Sequence, residues 1–183
     1  MRISVFCSAN KDIDPVFFEL TAALGRWMGQ RGHTLVYGGC DMGLMECVAR
    51  AVHEAGGEVV GVVPAILERG GHASRYIDRL ILCETLDERK QLMLGHSDVA
   101  IALPGGIGTL DEVFSMAAQA TLGYHAKRVV VYDMAHFWQP LEHLLDHLQQ
   151  QGLMRGDYHR LITFVHTLSE LTDCLEGRHG QAE

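Results

Sequence analysis

The sequence predicts a doubly wound α/β fold of the Rossmann-like type, a parallel sheet with helices on both faces, and three observations carry that reading. Short apolar runs alternate along the chain with longer segments of helical periodicity. The runs are apolar at successive positions rather than at every second one, as in strands covered on both faces. Two of them end in glycine loops that pass directly into a helix, the order of parallel crossover units. With no linker, repeat or low-complexity segment, residues 1–183 read as one nucleotide-binding domain, within the size of about 100–200 residues common for one core.

Residues 2–7 (RISVFC) form the first strand. Asp14-Pro15 then opens a helix as N-cap and first-turn proline. Val16, Leu20, Leu24 and Met28 recur at four-residue intervals as its buried stripe, and Gly32 ends it. Residues 34–37 are a second strand, closed by the glycine loop 38–43. The next helix turns Leu44, Cys47, Val48, Ala51 and Val52 inward and stops at Gly56-Gly57. A third strand, 58–63, ends at Pro64, and the glycine-rich stretch 68–74 reads as a mobile loop. Residues 79–83 are a short strand, and Thr85 with Glu88 is a capping box for the helix that follows.

The run 99–103 is the central strand, stopped by Pro104-Gly105-Gly106-Ile107-Gly108. Thr109 and Glu112 repeat the capping-box spacing at the head of a helix that is apolar through Val113, Phe114, Met116, Ala117 and Leu122. Residues 127–132 are a buried strand. A helix over 138–150 faces Leu141, Leu144, Leu145 and Leu148 inward, and strand 160–165 and helix 168–175 complete the chain.

Composition narrows the function. Hydrophobic residues at 48% and charged residues at 21% are those of a globular chain and exclude a disordered one. A formal charge of −8 argues against a nucleic-acid polymer or an anionic membrane as partner, so any phosphate must be held locally. Cys7, Cys40, Cys47, Cys83 and Cys174 are odd in number and contain no C-x-x-C pair, which favours reduced thiols in a cytoplasm. No apolar run reaches the roughly 18 residues of a membrane span, and the N-terminal run is too short for a signal peptide. His143 and His147 share a helix face without further ligands nearby, so no metal site is expected.

Both glycine loops lie at carboxyl ends of strands, where doubly wound sheets bind ligands. If their strands are neighbours, the two loops wall one cleft. Glycine admits close backbone approach, and a helix N-terminus favours an anion, so a phosphate is the natural guest; glycines serving only turn geometry would look the same. Glu112 is open to two readings, the second half of a capping box or a carboxylate placed for catalysis. Arg89 is either a solvated charge pairing with Asp87 or Glu88 or a fixed cation of the site. Asp111 lies about 100° around the helix from Glu112, so only one of them faces the cleft.

Several nucleotide chemistries are excluded. Gly43-Leu44-Met45 stands where a Walker A loop requires Gly-Lys-Ser/Thr, no G-x-G-x-x-G follows the first strand, no acidic residue ends the second, and there is no G-x-S-x-G elbow.

With these residues placed, the chain resembles the Lonely Guy (LOG) family of cytokinin-activating phosphoribohydrolases. The family pattern PGGxGTxxE is met by Pro104 to Glu112, the upstream RK motif by Arg89-Lys90, and YGGGxxGLM by Tyr37 to Met45 with Cys40 in place of a glycine. Ser97-Asp98, Leu122-Gly123, His125 and Lys127 also fit. The resemblance implies hydrolysis of the N-glycosidic bond of a nucleoside 5′-monophosphate, a cytokinin riboside monophosphate or AMP, without a cofactor. It implies that Gly38, Gly39, Gly43, Lys90, Gly105, Gly106, Ile107, Gly108 and Thr109 hold the substrate and its phosphate. Glu112 would act as general base or as stabiliser of an oxocarbenium-like charge, with Arg89 orienting substrate or Glu112.

Two departures bear on specificity. The loop glutamate usual in the family aligns with Gly71, with Glu68 as an offset substitute. The usual TWxQLG after the glycine loop reads here Ala118-Gln119-Ala120-Thr121-Leu122-Gly123. Because the helix 113–122 is apolar almost all round, it is either central in the monomer or, as the resemblance implies, packed against a second copy in a homodimer. The rival readings are a non-catalytic nucleotide carrier on the same fold and a lysine decarboxylase. The latter would need pyridoxal phosphate on Lys11, Lys90 or Lys127, none within a cofactor-binding pattern.

Overall fold

The computed structural model describes residues 1–177. Seven parallel strands, β1 (Arg2–Phe6), β2 (Thr34–Tyr37), β3 (Val59–Pro64), β4 (Arg79–Cys83), β5 (Val99–Ala102), β6 (Val129–Tyr132) and β7 (Ile162–Val165), form one sheet in the order β4-β3-β2-β1-β5-β6-β7. The order reverses at β1, which pairs with β2 on one side and β5 on the other. Helices α1 (Pro15–Gln30), α2 (Gly43–Glu54) and α7 (Leu168–Glu176) cover one face, and α4 (Leu86–Gly95), α5 (Ile107–Thr121) and α6 (Gln139–Gln150) the other. The predicted fold class is the one observed. No helix among the described residues is long and apolar enough to cross a membrane.

The central strands are buried along their length on both faces, which explains their unbroken apolar runs. Asp14 caps α1 through the Val16 N–H (2.9 Å), and Thr85 caps α4 through the Glu88 N–H (3.1 Å), as the sequence signals predict. All five inward positions of α2 are buried.

Four local expectations are corrected. The α1 stripe is buried at Leu24 and Met28 but only half-buried at Val16 and Leu20; Thr21, Gly25 and Gly29 complete it, because small residues let α2 lie against α1. Leu144 faces outward, 51% exposed, leaving Leu145 as the buried residue of α6. The stretch after β3 is not an open loop throughout: α3 (Ala65–Arg69) forms, and backbone bonds from Asp41 N–H to His72 O (3.1 Å) and Ser74 N–H to Gly39 O (2.9 Å) tie the segment to the first glycine loop. Helix α5 begins at Ile107 with Gly106 at its N-cap and no side-chain cap, so Thr109 lies inside the first turn and the Thr109–Glu112 pair is not a capping box.

The α1–α2 approach is close enough to test. A Cβ on Gly29 would stand 2.5 Å from the Ala55 Cβ and 2.7 Å from the Val52 carbonyl oxygen. Alanine gains about 1 kcal/mol of helix propensity over glycine, but overpacking a tight contact costs about 1–3 kcal/mol. Gly29→Ala is therefore expected to lower the urea midpoint, and an unchanged or raised midpoint would show that the helices can separate without penalty.

Candidate active site

The strands carrying the glycine loops are not adjacent: β1 lies between β2 and β5. The segment after β1 joins the two loops instead. Ser8 donates its N–H to Pro104 O (3.1 Å), and Ser8 O accepts from Leu44 N–H (2.9 Å). Gly43 adopts φ +61°, and a Cβ there would stand 2.4 Å from the Ala9 carbonyl carbon, so only glycine permits this junction. Both loops thus meet at the strand-order reversal, the position where ligands bind in doubly wound sheets.

Arg89 from α4 reaches across to Glu112 on the inner face of α5, with Nη2 2.5 Å from Oε1. The side chains are 13% and 6% exposed. Arg89 also lies against the first glycine loop, since a Cβ on Gly38 would stand 3.1 Å from its Nη2. The alternative of a solvated Arg89 paired with Asp87 or Glu88 is thereby excluded: Asp87 pairs with Lys90, and Glu88 accepts the Glu84 N–H (2.7 Å). The two acids of α5 divide as helix geometry requires, Glu112 inward to Arg89 and Asp111 outward to Lys90.

Lys90 is engaged by polar side chains of α4 and α5. Its Nζ donates to both Asp111 oxygens (2.9 Å each) and to Ser115 Oγ (3.1 Å), and stands 3.1 Å from Asp87 Oδ1. These carboxylates raise its pKa, the hydrogen bond to Asp111 most of all. An open groove of about 420 Å³ adjoins it, lined also by Gln91, Gln119 and Tyr124. Lys127 donates to the Leu94 carbonyl oxygen (2.5 Å).

On the second loop, Gly105 and Gly106 lead into the uncapped N-terminus of α5, whose first residues are Ile107 and Gly108. Thr109 is buried and packs so tightly under Gly105 that a Cβ there would stand 2.1 Å from its Oγ1. Ile107, the first residue of that helix, is 87% exposed. Gly39 completes the first loop at φ +76° against Val63. The cluster Asp87–Lys90–Asp111–Ser115 and the Cys7 thiol beneath the pair are not evident from sequence. Burial, reinforced by Glu112, pushes the Cys7 pKa well up, so it stays a neutral thiol. Among the described residues, metal-ligand proximity occurs at Asp133, His136 and His166, after β6 and β7, not at these loops; His143 and His147 are exposed on α6.

Burial also raises the Glu112 carboxyl above the ordinary glutamate value, while the charge and hydrogen bond of Arg89 pull it down. The result is a carboxylate more basic than a surface glutamate, held rigidly beside a fixed positive charge. Such a group can take a proton from water or face a developing cation.

Fold and cleft together define a doubly wound protein in which two glycine loops meet at the strand-order reversal beside a buried acid–guanidinium pair. The chain belongs to the LOG family, whose model, described as "Possible lysine decarboxylase", matches residues 45–175. It is 36% identical over 176 residues to the cytokinin riboside 5′-monophosphate phosphoribohydrolase of Mycobacterium marinum (96% of this chain, 94% of that one). It is 34% identical over 175 residues to the rice phosphoribohydrolase LOG (96% and 72%). Among solved structures it is similar in fold to the Moco carrier protein of Chlamydomonas reinhardtii, with TM-score 0.73 at 22% identity over 96% of this chain and 95% of that one.

The pair generates a pH-dependent stability. Removing one partner of a buried ion pair costs about 3–5 kcal/mol when the other stays charged. In Arg89→Gln the downward pull on Glu112 is gone, so its folded pKa rises further. The stability of the protonated form is then present below the ordinary glutamate value and lost as pH rises through the raised one. Urea midpoints should therefore show the variant's deficit large at neutral pH and small in mild acid; a deficit independent of pH would mean that Glu112 is not buried as described.

Proposed function

We propose that this chain is a nucleoside 5′-monophosphate phosphoribohydrolase: water adds at the ribose C1′, the C1′–N bond breaks, and free base and ribose 5-phosphate leave. The observation that carries the reading is the buried Arg89–Glu112 pair at the meeting point of two glycine loops. A protein that only bound a nucleotide would gain nothing from burying a carboxylate beside a phosphate cradle.

In this reading the backbone of Gly38, Gly39, Gly43 and Gly105 to Gly108, with Thr109, holds the 5′-phosphate at the head of α5. Glu112 then lies on the next turn, where it accepts the water proton or faces the positive charge developing on the ribose. Arg89 keeps Glu112 ionised and oriented; a guanidinium is too basic to supply the proton that the departing base needs. Lys90 acts indirectly, by fixing Asp111 away from the cleft. The relatives' names point to a cytokinin riboside monophosphate. Gly71 and the sequence Ala118-Gln119 leave AMP as an equal candidate.

The same reading includes a homodimer, one folding unit and a reducing cytoplasm. Ile107, Phe114, Leu122 and Tyr124 leave an exposed apolar surface on and after α5, 87%, 39%, 62% and 75% accessible respectively, which supports burial against a second copy. All five cysteines are buried free thiols, which suits a reducing compartment.

Chromatographic assay with AMP and isopentenyladenosine monophosphate is expected to show free base and ribose 5-phosphate from at least one of them. Loss of a positioned base or charge stabiliser should lower kcat in Glu112→Gln by about 10²–10⁴-fold. Binding without turnover would favour the carrier reading. Phe114→Asp with Leu122→Asp is expected to give a monomer by light scattering; a wild-type monomer would remove the dimer from the proposal.

A further inference from the structure

At the carboxyl ends of β6 and β7, one and two strands beyond β5, three ligand-bearing side chains converge on a backbone that the sequence does not favour. Met134–His136 is a single 3-10 turn in which Ala135 (φ 51°) and His136 (φ 61°) are the two non-glycine residues with positive φ in the described chain. Left-handed geometry at consecutive residues with side chains is strained and persists only where something holds it. It turns His136 back toward the end of β6, placing Nδ1 3.7 Å from Asp133 Oδ2. The ring itself is 74% exposed, so burial does not compensate the strain.

His166, the residue after β7, brings its own Nδ1 to 3.1 Å from the same oxygen. Its backbone is fixed by donation to Glu170 (2.8 Å) in the first turn of α7. Asp133 is 1% exposed, and its Oδ1 accepts the Trp138 N–H at 2.5 Å, which turns Oδ2 to the two imidazoles. All three residues offer a ligand atom within 4.8 Å of the others. An Asp–His hydrogen bond accounts for Asp133 and His166; the turn that carries His136 is closed by the Phe137 N–H to Met134 O bond (3.1 Å) and anchored by buried Met134, and it sets the second imidazole beside the same carboxylate oxygen.

We propose that Asp133, His136 and His166 bind one divalent transition-metal ion of the zinc type, clasping the ends of β6 and β7. Ligands about 2.0–2.2 Å from a tetrahedral centre stand roughly 3.2–3.6 Å apart, a spacing that the Asp133–imidazole separations of 3.1 and 3.7 Å bracket. Two imidazoles with one carboxylate select zinc, cobalt or nickel over magnesium or calcium, which prefer all-oxygen sites. Three protein ligands leave a coordination position for solvent on the exposed side. Sequence spacing conceals the set, because an i, i+3 pair joins a residue thirty positions on.

The test uses the full chain without a histidine tag, freed of metal by chelator dialysis. Calorimetric titration with Zn²⁺ should give one equivalent bound and a raised Tm. Co²⁺ should give visible ligand-field bands without thiolate charge transfer, which separates this site from the five cysteines. His136→Gly removes a ligand while suiting the left-handed backbone. It should weaken Zn²⁺ binding at least tenfold and leave the metal-free Tm equal or higher; His166→Gln should weaken binding similarly. No binding at micromolar Zn²⁺, binding unchanged in both variants, or a thiolate spectrum with Co²⁺ would each overturn the proposal.

Discussion

The ion pair between Arg89 and Glu112 is the constraint around which the cleft is arranged. Two charges withdrawn from water lose several kcal/mol each in hydration, and their attraction returns that only when the geometry is tight. Here it is tight, 2.5 Å between nitrogen and oxygen, yet burial still raises the carboxyl above its ordinary value. A core packed for stability alone would replace such a pair with apolar side chains. Its position, against Gly38 and one turn below the uncapped head of α5, makes sense in terms of a bound ligand.

The surroundings follow from that placement. Gly38 lacks a side chain where Arg89 must pass, and Gly43 lets the first glycine loop press on the segment after β1. That segment is bonded in turn to Pro104, so movement of one loop strains the other. Lys90 neutralises Asp111 on the outer face of α5, which leaves Glu112 as the inward acid and Arg89 as its immediate cation. Single substitutions in any of these groups are therefore coupled and should not add.

The fold was legible because doubly buried parallel strands must be continuously apolar, and residues 99–102, 129–132 and 59–63 are. Strand order was not legible, since nothing in the runs says that β1 separates β2 from β5. The head of α5 departs from the capping-box expectation for a physical reason. Threonine followed by glutamate at the capping-box spacing is the same string whether the helix starts after Thr109 or two residues before it, and the glycines at 105, 106 and 108 permit either. The earlier start leaves the N-terminus without a side-chain cap, free for an anion, and carries Glu112 inward. The partners of Arg89 and Lys90 were equally hidden, because adjacent residues on a helix point about 100° apart and their sequence neighbours offered acids to both.

Helix α5 shows why catalysis and assembly would be linked. Its first turn is part of the second glycine loop, its inner side holds Glu112, and its outer side carries Phe114 and leads to Leu122 in the open. A rigid helix cannot move one of these faces without the others. A second copy covering the apolar side would restrict the rocking of α5 against α4, and so the distance from Glu112 to Arg89. The entropy cost of ordering the acid would then be met at assembly rather than at each turnover. On that argument the exposed stripe would serve the same function as the carboxylate on the inner side of the helix.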